Sequence, residues 1–163
     1  MSIAAVLEVE HDPPPPLRAV RDHESPGSAR APDATTAAAR TVLIVEDEPG
    51  LRDSLSEILR LQGYETAEAE DGEVALQILR SRDVDVLILD LHLPKLDGVG
   101  VLRRIDAPPP MVIVHSAFEF YSSDAIGEEV GPKVFRMVRK PLPPTQLIAA
   151  VSEAVTELEN LEK

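Results

Sequence analysis

The sequence lacks cysteine altogether and has few aromatic residues, namely two tyrosines and three phenylalanines. Without cysteine the chain can form neither disulfide bonds nor thiolate metal sites, a composition that suits a reducing compartment. Basic residues are also few: 16 lysines and arginines are outnumbered by 29 aspartates and glutamates, and the formal net charge is -13. An acidic surface repels nucleic-acid phosphates, so direct binding to nucleic acid is not expected.

The chain also has no long apolar segment of the kind that marks a membrane protein. No hydrophobic run approaches the length of a bilayer-spanning helix, so membrane insertion is not expected. The first twelve residues include Glu8, Glu10 and Asp12 and have no basic cluster, which is unlike a secretory signal peptide. Together these absences predict a cytoplasmic protein.

Two regions differ in composition. Residues 1–40 contain a proline run at 13–16 and an alanine-rich end, with little that a core could bury, and this predicts a disordered N-terminal extension. Its small apolar cluster of Ile3, Val6, Leu7 and Val9 is either incidental or a docking motif. Residues 41–160 are predicted to form one domain, because their length is sufficient for an independent hydrophobic core.

The second region alternates between strand and helix patterns. Strands are predicted at 41–45, 64–69, 86–89, 111–115 and 134–138, and the continuous apolar runs of the first and third are typical of parallel strands covered on both faces. Apolar residues at helical spacing follow each strand, most weakly over 118–129. The alternation predicts an α/β fold, a doubly wound five-stranded parallel sheet with helices on both faces in a flavodoxin-like order. The residues predicted to face inward are Val74, Ala75, Ile78 and Leu79 in the second helix and Leu147, Ile148, Val151, Val155 and Leu158 in the last.

Polar side chains lie where these strands end. Asp90 follows the central strand, Glu46 and Asp47 follow the first, Ser116 follows the fourth, and Lys140 closes the fifth. The carboxyl ends of parallel strands meet at one edge of the sheet, which is where open α/β folds bind ligands. Carboxylates brought together there would repel one another unless a cation lies among them, and oxygen ligands suit magnesium or manganese. A hydroxyl and an ammonium beside them make this edge suitable for an anionic phosphoryl group.

Each of these residues also has a simpler explanation when it is considered alone. Asp90 could cap the next helix, Ser116 could be a cap or turn residue, and Lys140 could be a solvated lysine before a proline. The acidic run at 46–48 could be a solvated loop. A shared site explains them better, because otherwise all four features would fall on strand ends by chance.

Four ordered motifs resemble those of the response-regulator receiver domains of two-component signalling. They are Val-Glu-Asp-Glu-Pro, Leu-Asp-Leu-His-Leu-Pro-Lys-Leu-Asp-Gly, His-Ser-Ala and Arg-Lys-Pro, and the resemblance covers residues 41–156. It implies that Asp90 accepts a phosphoryl group from a sensor histidine kinase or a histidine phosphotransfer protein. It also implies that Ser116 is a switch hydroxyl and that Lys140 pairs with phosphoryl oxygens.

The same resemblance implies Mg2+ as the cofactor. The ligands would be Glu46, Asp47, Asp90 and the backbone carbonyl of His92, with Asp47 bound directly. The chain would be an enzyme only in the phosphorylation and dephosphorylation of its own Asp90. The tail after the last helix pattern is too short for an output domain, so a complete protein of this length would signal through contacts with a downstream protein. The cognate kinase, the downstream target and the oligomeric state stay open.

One position departs from the family pattern. Receivers generally have a tyrosine or phenylalanine three residues before the lysine, whereas this chain has Met137. Methionine is flexible but offers no ring to move between two defined positions. One hypothesis is that the segment from Phe118 to Tyr121 reports the state of Asp90 instead, and the alternative is that its rings simply pack under the fourth helix.

Two other functions are compatible with parts of the sequence. A degenerate receiver would act as an interaction module without phosphorylation. A magnesium-dependent hydrolase of the haloacid-dehalogenase type would also use an aspartate at a strand end, but such enzymes have an Asp-x-Asp arrangement, and His92 stands two residues after Asp90. Catalytic turnover of free phosphomonoesters would distinguish the hydrolase from a receiver.

Overall fold

The computed structural model describes residues 39–105, 110–117 and 133–163. These residues form five strands and four helices, which alternate except that β5 is the next described element after β4. Their bounds are β1 Thr41–Val45, α1 Pro49–Leu61, β2 Glu65–Ala69, α2 Gly72–Ser81, β3 Val86–Leu89, α3 Gly98–Arg104, β4 Met111–Ser116, β5 Val134–Arg139 and a C-terminal helix Pro144–Leu161.

The strands form one sheet in the order β2-β1-β3-β4-β5, and every neighbouring pair is parallel. This confirms the predicted doubly wound, flavodoxin-like fold. β1 and β3 have the predicted bounds, β2 begins one residue later than predicted, and β4 and β5 each extend one residue further. β3 lies at the centre of the sheet, so the residues that follow it are surrounded by the ends of the neighbouring strands.

Apolar side chains cover both faces of the sheet. Leu43 and Leu87 point to the face covered by α2 and α3, whose Leu76 and Leu102 pack there. Alternate residues of the same strands point to the other face, which is covered by α1 and the C-terminal helix. The central strands are therefore buried on both sides, which is why their sequences lack polar alternation.

The helices differ from the sequence prediction in which residues are most deeply buried. In α2, Leu76 and Ala75 are buried, while Val74, Ile78 and Leu79 are only partly so. In the C-terminal helix, Leu147 and Val151 are buried as predicted, together with Ala150 and Ala154, which the prediction omitted; Val155 is partly buried, and Ile148 and Leu158 are intermediate. The alanines are buried because their short side chains let the helix lie close to the sheet.

Two predictions about the fold lie outside the described residues. These are the disordered N-terminal extension, except for its residues 39 and 40, and the weak helix over 118–129. Within the described part of the chain, no helix is both long enough and apolar enough to cross a membrane.

Candidate functional site

Asp90 is the first residue after β3, and its side chain is held on both oxygens. The residue is 5% exposed, and its backbone N–H donates to the carbonyl of Val45 over 3.0 Å. The N–H of His92 donates to Oδ1 over 2.8 Å, and Nζ of Lys140 donates to Oδ2 over 2.5 Å. Asp90 is not the cap of α3, because Asp97 fills that role by accepting from the N–H of Gly100.

Lys140 joins two strand ends. Its Nζ donates to Oε2 of Glu46 and to Oδ2 of Asp90, each over 2.5 Å, and its backbone N–H donates to the carbonyl of Ser116. Burial alone would lower the pKa of Lys140, but its hydrogen bonds to Asp90 and Glu46 outweigh burial and raise the pKa. Lys140 is thus a partly buried charge partner of two carboxylates and not a solvated lysine.

Three carboxylates gather at this edge. Oxygens of Glu46, Asp47 and Asp90 all lie within 4.8 Å of one another. Glu46 is only 2% exposed, and burial raises the pKa of its carboxyl, against the opposing effect of the Lys140 ammonium. Asp47 is exposed and open to a ligand. A set of oxygen donors this close together fits a magnesium ion, which binds through one or two carboxylates and keeps several waters.

Ser116 completes the edge as the last residue of β4. The residue is buried, and Oγ has no hydrogen-bond partner among the residues that the structure describes. A buried hydroxyl without a partner is uncommon in folded proteins and calls for a ligand or a change of state. Glu46, Asp47, Asp90, Ser116 and Lys140 therefore lie at the carboxyl edge of the sheet, as the sequence predicts.

Comparison with known proteins agrees with this arrangement. Residues 42–152 match the sequence profile described as the response regulator receiver domain. The chain belongs to that family. It is 35% identical over 112 residues to a DNA-binding response regulator, MtrA, of Mycolicibacterium smegmatis, covering 68% of this chain and 48% of the relative. It is 31% identical over 132 residues to the transcriptional regulatory protein PdtaR of Mycobacterium tuberculosis, covering 79% of this chain and 63% of the relative.

Solved receiver structures show the same fold. A response regulator of Thermotoga maritima, TrrA, in complex with Mg(2+)-BeF, matches with a TM-score of 0.64 and 31% identity, covering 71% of this chain and 98% of that one. A receiver domain protein of Methanospirillum hungatei matches with a TM-score of 0.70 at 22% identity, covering 76% and 98%. The chain spans about half the length of most of the curated relatives that it matches. The family assignment therefore concerns the receiver domain.

Arg52 supports the acidic loop of this receiver domain, a role that the sequence did not suggest. Its Nη1 donates to the backbone carbonyl of Glu46 over 2.7 Å, and its Nε lies 3.9 Å from Oε2 of Glu68. The sequence pattern places Arg52 only among the polar residues of α1. Arg52 lies about one helical turn into α1, shortly after the acidic run. That position is the signal that could have identified it.

His115 is a second residue that the sequence reading left without a role. It precedes Ser116 on β4, is 1% exposed, and has no hydrogen-bond partner for Nε2 among the described residues. Val114 pairs with Leu89, so His115 lies in register beside Asp90. Burial, helped by the Lys140 ammonium and opposed by Asp90, lowers the pKa of His115 to about 4. The imidazole is therefore neutral at neutral pH.

Met137 occupies the β5 position where receivers generally have an aromatic ring. It is 40% exposed and lines a shallow groove with Val138, Arg139, Pro143 and Gln146. The hypothesis that the segment from Phe118 to Tyr121 reports the state of Asp90 falls outside the described residues.

Proposed function

We propose that Asp90 is the phospho-acceptor of this receiver domain. The observation that carries the proposal is the contact of Nζ of Lys140 with both Asp90 and Glu46, at a strand edge where Asp47 also contributes a carboxylate. A buried carboxylate that is paired with an ammonium on one oxygen and with a backbone N–H on the other is held in a fixed orientation. Fixed orientation of a nucleophile is what group transfer requires.

The reaction is phosphoryl transfer from a phosphohistidine. The Asp90 carboxylate forms a P–O bond as the P–N bond of the donor breaks, and the departing imidazole nitrogen keeps the bonding electron pair. Lys140 then binds an oxygen of the phosphoryl group, and the hydroxyl of Ser116, which has no partner among the described residues, donates to another. Attack by water on phosphorus later releases inorganic phosphate and restores the carboxylate, so catalysis is limited to the phosphorylation and dephosphorylation of Asp90.

Residues of the same edge would hold the metal. We propose Glu46, Asp47, Asp90 and the backbone carbonyl of His92 as the group that holds Mg2+, with Asp47 a direct ligand. When bound, the ion supplies positive charge that reduces the repulsion between these carboxylates and an anionic phosphodonor. The three clustered carboxylates support this assignment. Asp47→Ala is expected to weaken Mg2+ binding more than Glu46→Ala, because Glu46 is tied to Lys140.

The partners follow from this chemistry. We propose a sensor histidine kinase or a histidine phosphotransfer protein as the donor and a downstream protein as the target. The net charge of -13 argues against direct binding of this chain to nucleic acid. A cytoplasmic location and a disordered extension are parts of the same proposal, with the receiver domain at 41–160. The extension predicted over residues 1–40 is proposed only for the part before Arg40, because Arg40 forms ion pairs with Asp85 and Glu162.

The test is phosphorylation by acetyl phosphate, followed by intact-mass analysis. We expect one phosphoryl group in the wild type with Mg2+, none with excess chelator, and none in Asp90→Asn. Asp97→Asn is the matched control, because Asp97 is a carboxylate of the same loop that only caps α3. Equal incorporation in Asp90→Asn would refute the assignment. No incorporation in a folded wild type would favour a degenerate receiver, and turnover of free phosphomonoesters would favour the hydrolase.

A further inference from the structure

The loop between Asp90 and α3, residues 91–97, supplies one of the contacts that hold the Asp90 side chain. It carries the N–H of His92 that donates to Oδ1 of Asp90. The end of the loop is closed by a hydrogen bond from the N–H of Gly98 to the carbonyl of Leu91, over 3.1 Å. The middle of the loop lies against the first turn of α2, where a Cβ atom on Gly72 would come within 2.3 Å of the carbonyl oxygen of Leu96. Loop and helix are thus in direct contact.

An ion pair fastens the loop at this contact. Nζ of Lys95 pairs with Oδ2 of Asp71. Asp71 is only 1% exposed and is the N-cap of α2, where its Oδ1 accepts from the N–H of Val74 over 2.9 Å. The hydrogen bond from Lys95, followed by that from Val74, lowers the pKa of Asp71, and the same ion pair raises the pKa of Lys95. Asp71 is therefore an ionised, buried carboxylate whose cation comes from the loop.

The backbone of Lys95 adopts a conformation that is unfavourable for a lysine. Lys95 has φ of +63°, and it is the non-glycine residue with positive φ among those that the structure describes. Glycine or asparagine adopts this left-handed conformation more readily than lysine does. A lysine placed there has unfavourable backbone geometry, and its ammonium contacts Asp71.

We propose that Lys95 is a positioning residue for the phosphoryl-acceptor site. Its ion pair with Asp71 holds the loop against α2, and the loop in turn holds the N–H of His92 on Oδ1 of Asp90. This inference rests on the proposed function, because it assigns Lys95 a role in the site of that reaction. Lys95 itself contacts none of the three clustered carboxylates, Asp90 included, in any bond that the structure describes, so its effect passes through the loop.

Two variants separate the charge from the backbone conformation. Lys95→Gly removes the ammonium and relieves the positive φ, whereas Lys95→Gln removes the charge and keeps a side chain. Arg82→Gln is the matched control, because it also deletes one positive charge and one ion pair, with Glu65, at the opposite end of α2. Asp71→Asn keeps an oxygen for the helix cap and loses only the charge.

The first measurement is amide hydrogen exchange and the 15N shift of His92 by NMR, without metal or phosphodonor. We expect faster exchange and a shifted signal in Lys95→Gly, Lys95→Gln and Asp71→Asn, and no change in Arg82→Gln. The double variant Lys95→Gln/Asp71→Asn should match the single variants, because each already removes the same ion pair. A His92 signal that is unchanged in Lys95→Gly overturns the proposal.

The second measurement is the affinity for Mg2+ alone by calorimetry, at a temperature well below unfolding. We expect binding to weaken about tenfold in the Lys95 and Asp71 variants, the size found when groups that orient metal ligands are removed. Wild-type affinity in Lys95→Gly, together with a lowered melting temperature, would mean that the pair serves stability only and would overturn the proposal. If the wild type neither binds Mg2+ nor accepts phosphate, the proposed function fails, and the His92 measurement still decides whether Lys95 positions the loop.

Discussion

At the level of single residues, the Lys140 ammonium lies between two buried carboxylates, and its removal should affect phosphorylation directly. We expect Lys140→Met to slow phosphorylation by acetyl phosphate about a hundredfold, as for the loss of one preorganised donor to a transferring group. Lys163→Met is the control, because Lys163 is an exposed residue at the chain end. The rates are compared by intact mass at fixed Mg2+, and an unchanged rate in Lys140→Met would show that the ammonium has no part in the reaction.

His115 should make stability depend on pH. Its folded pKa of about 4 is below the ordinary value of 6.5, so the unfolded chain binds a proton first as the pH falls. The contribution of His115 to the free energy of unfolding is fully present above pH 6.5. It is lost progressively as the pH falls towards 4. A shift of this size corresponds to a loss of about 2 to 3 kcal/mol between pH 7 and pH 4.5.

Urea unfolding of the wild type and of His115→Leu at both pH values measures this loss. We expect the wild type to lose about 2 to 3 kcal/mol more than the variant over this range. The difference between the two proteins isolates His115 from the many carboxylates that titrate in the same range. Parallel pH profiles for both proteins would mean that the imidazole is not held neutral by its surroundings.

At the level of elements, two helical glycines differ in how much room a side chain would have. A Cβ on Gly98, at the start of α3, would come within 2.4 Å of the carbonyl oxygen of Asp90, whereas at Gly50 in α1 the nearest atom is the Glu48 side chain at 3.4 Å. We expect Gly98→Ala to lower the free energy of unfolding by about 1 to 3 kcal/mol, as overpacking does. Gly50→Ala should raise it by up to about 1 kcal/mol, because alanine is the better helix former. Chemical unfolding compares the two variants, and equal effects would contradict the close packing of α3 on Asp90.

The elements also show what could be predicted from the sequence. The bounds of β1 and β3 and the position of Asp90 were predictable, because uninterrupted apolar runs that end at a charged residue carry both pieces of information. The burial of Ala150 and Ala154 was not, because alanine gives a weak apolar signal. The pair between Lys95 and Asp71 could not be predicted either, since it depends on a left-handed loop residue that sequence periodicity does not encode.

At the level of the whole molecule, ion pairs join the two ends of the described domain. Arg40 pairs with Asp85 over 2.9 Å and with Glu162 over 2.7 Å, and so connects the residue before β1 with the end of the C-terminal helix. Removal of residues 1–39 keeps these ion pairs of Arg40. We therefore expect the shortened protein to melt within a few degrees of the full chain and to be phosphorylated at the same rate. A larger fall in melting temperature would mean that the extension packs on the domain.

The central claim is that Asp90, and no other residue, receives the phosphoryl group. The most direct measurement is borohydride reduction after phosphorylation by acetyl phosphate, because an aspartyl phosphate is reduced to homoserine and peptide mass spectrometry then locates it. We expect homoserine at position 90 in the wild type and at no other aspartate, with no conversion when Mg2+ is chelated. Homoserine at another position, or unmodified Asp90 in protein that has gained one phosphoryl group by intact mass, would contradict the claim.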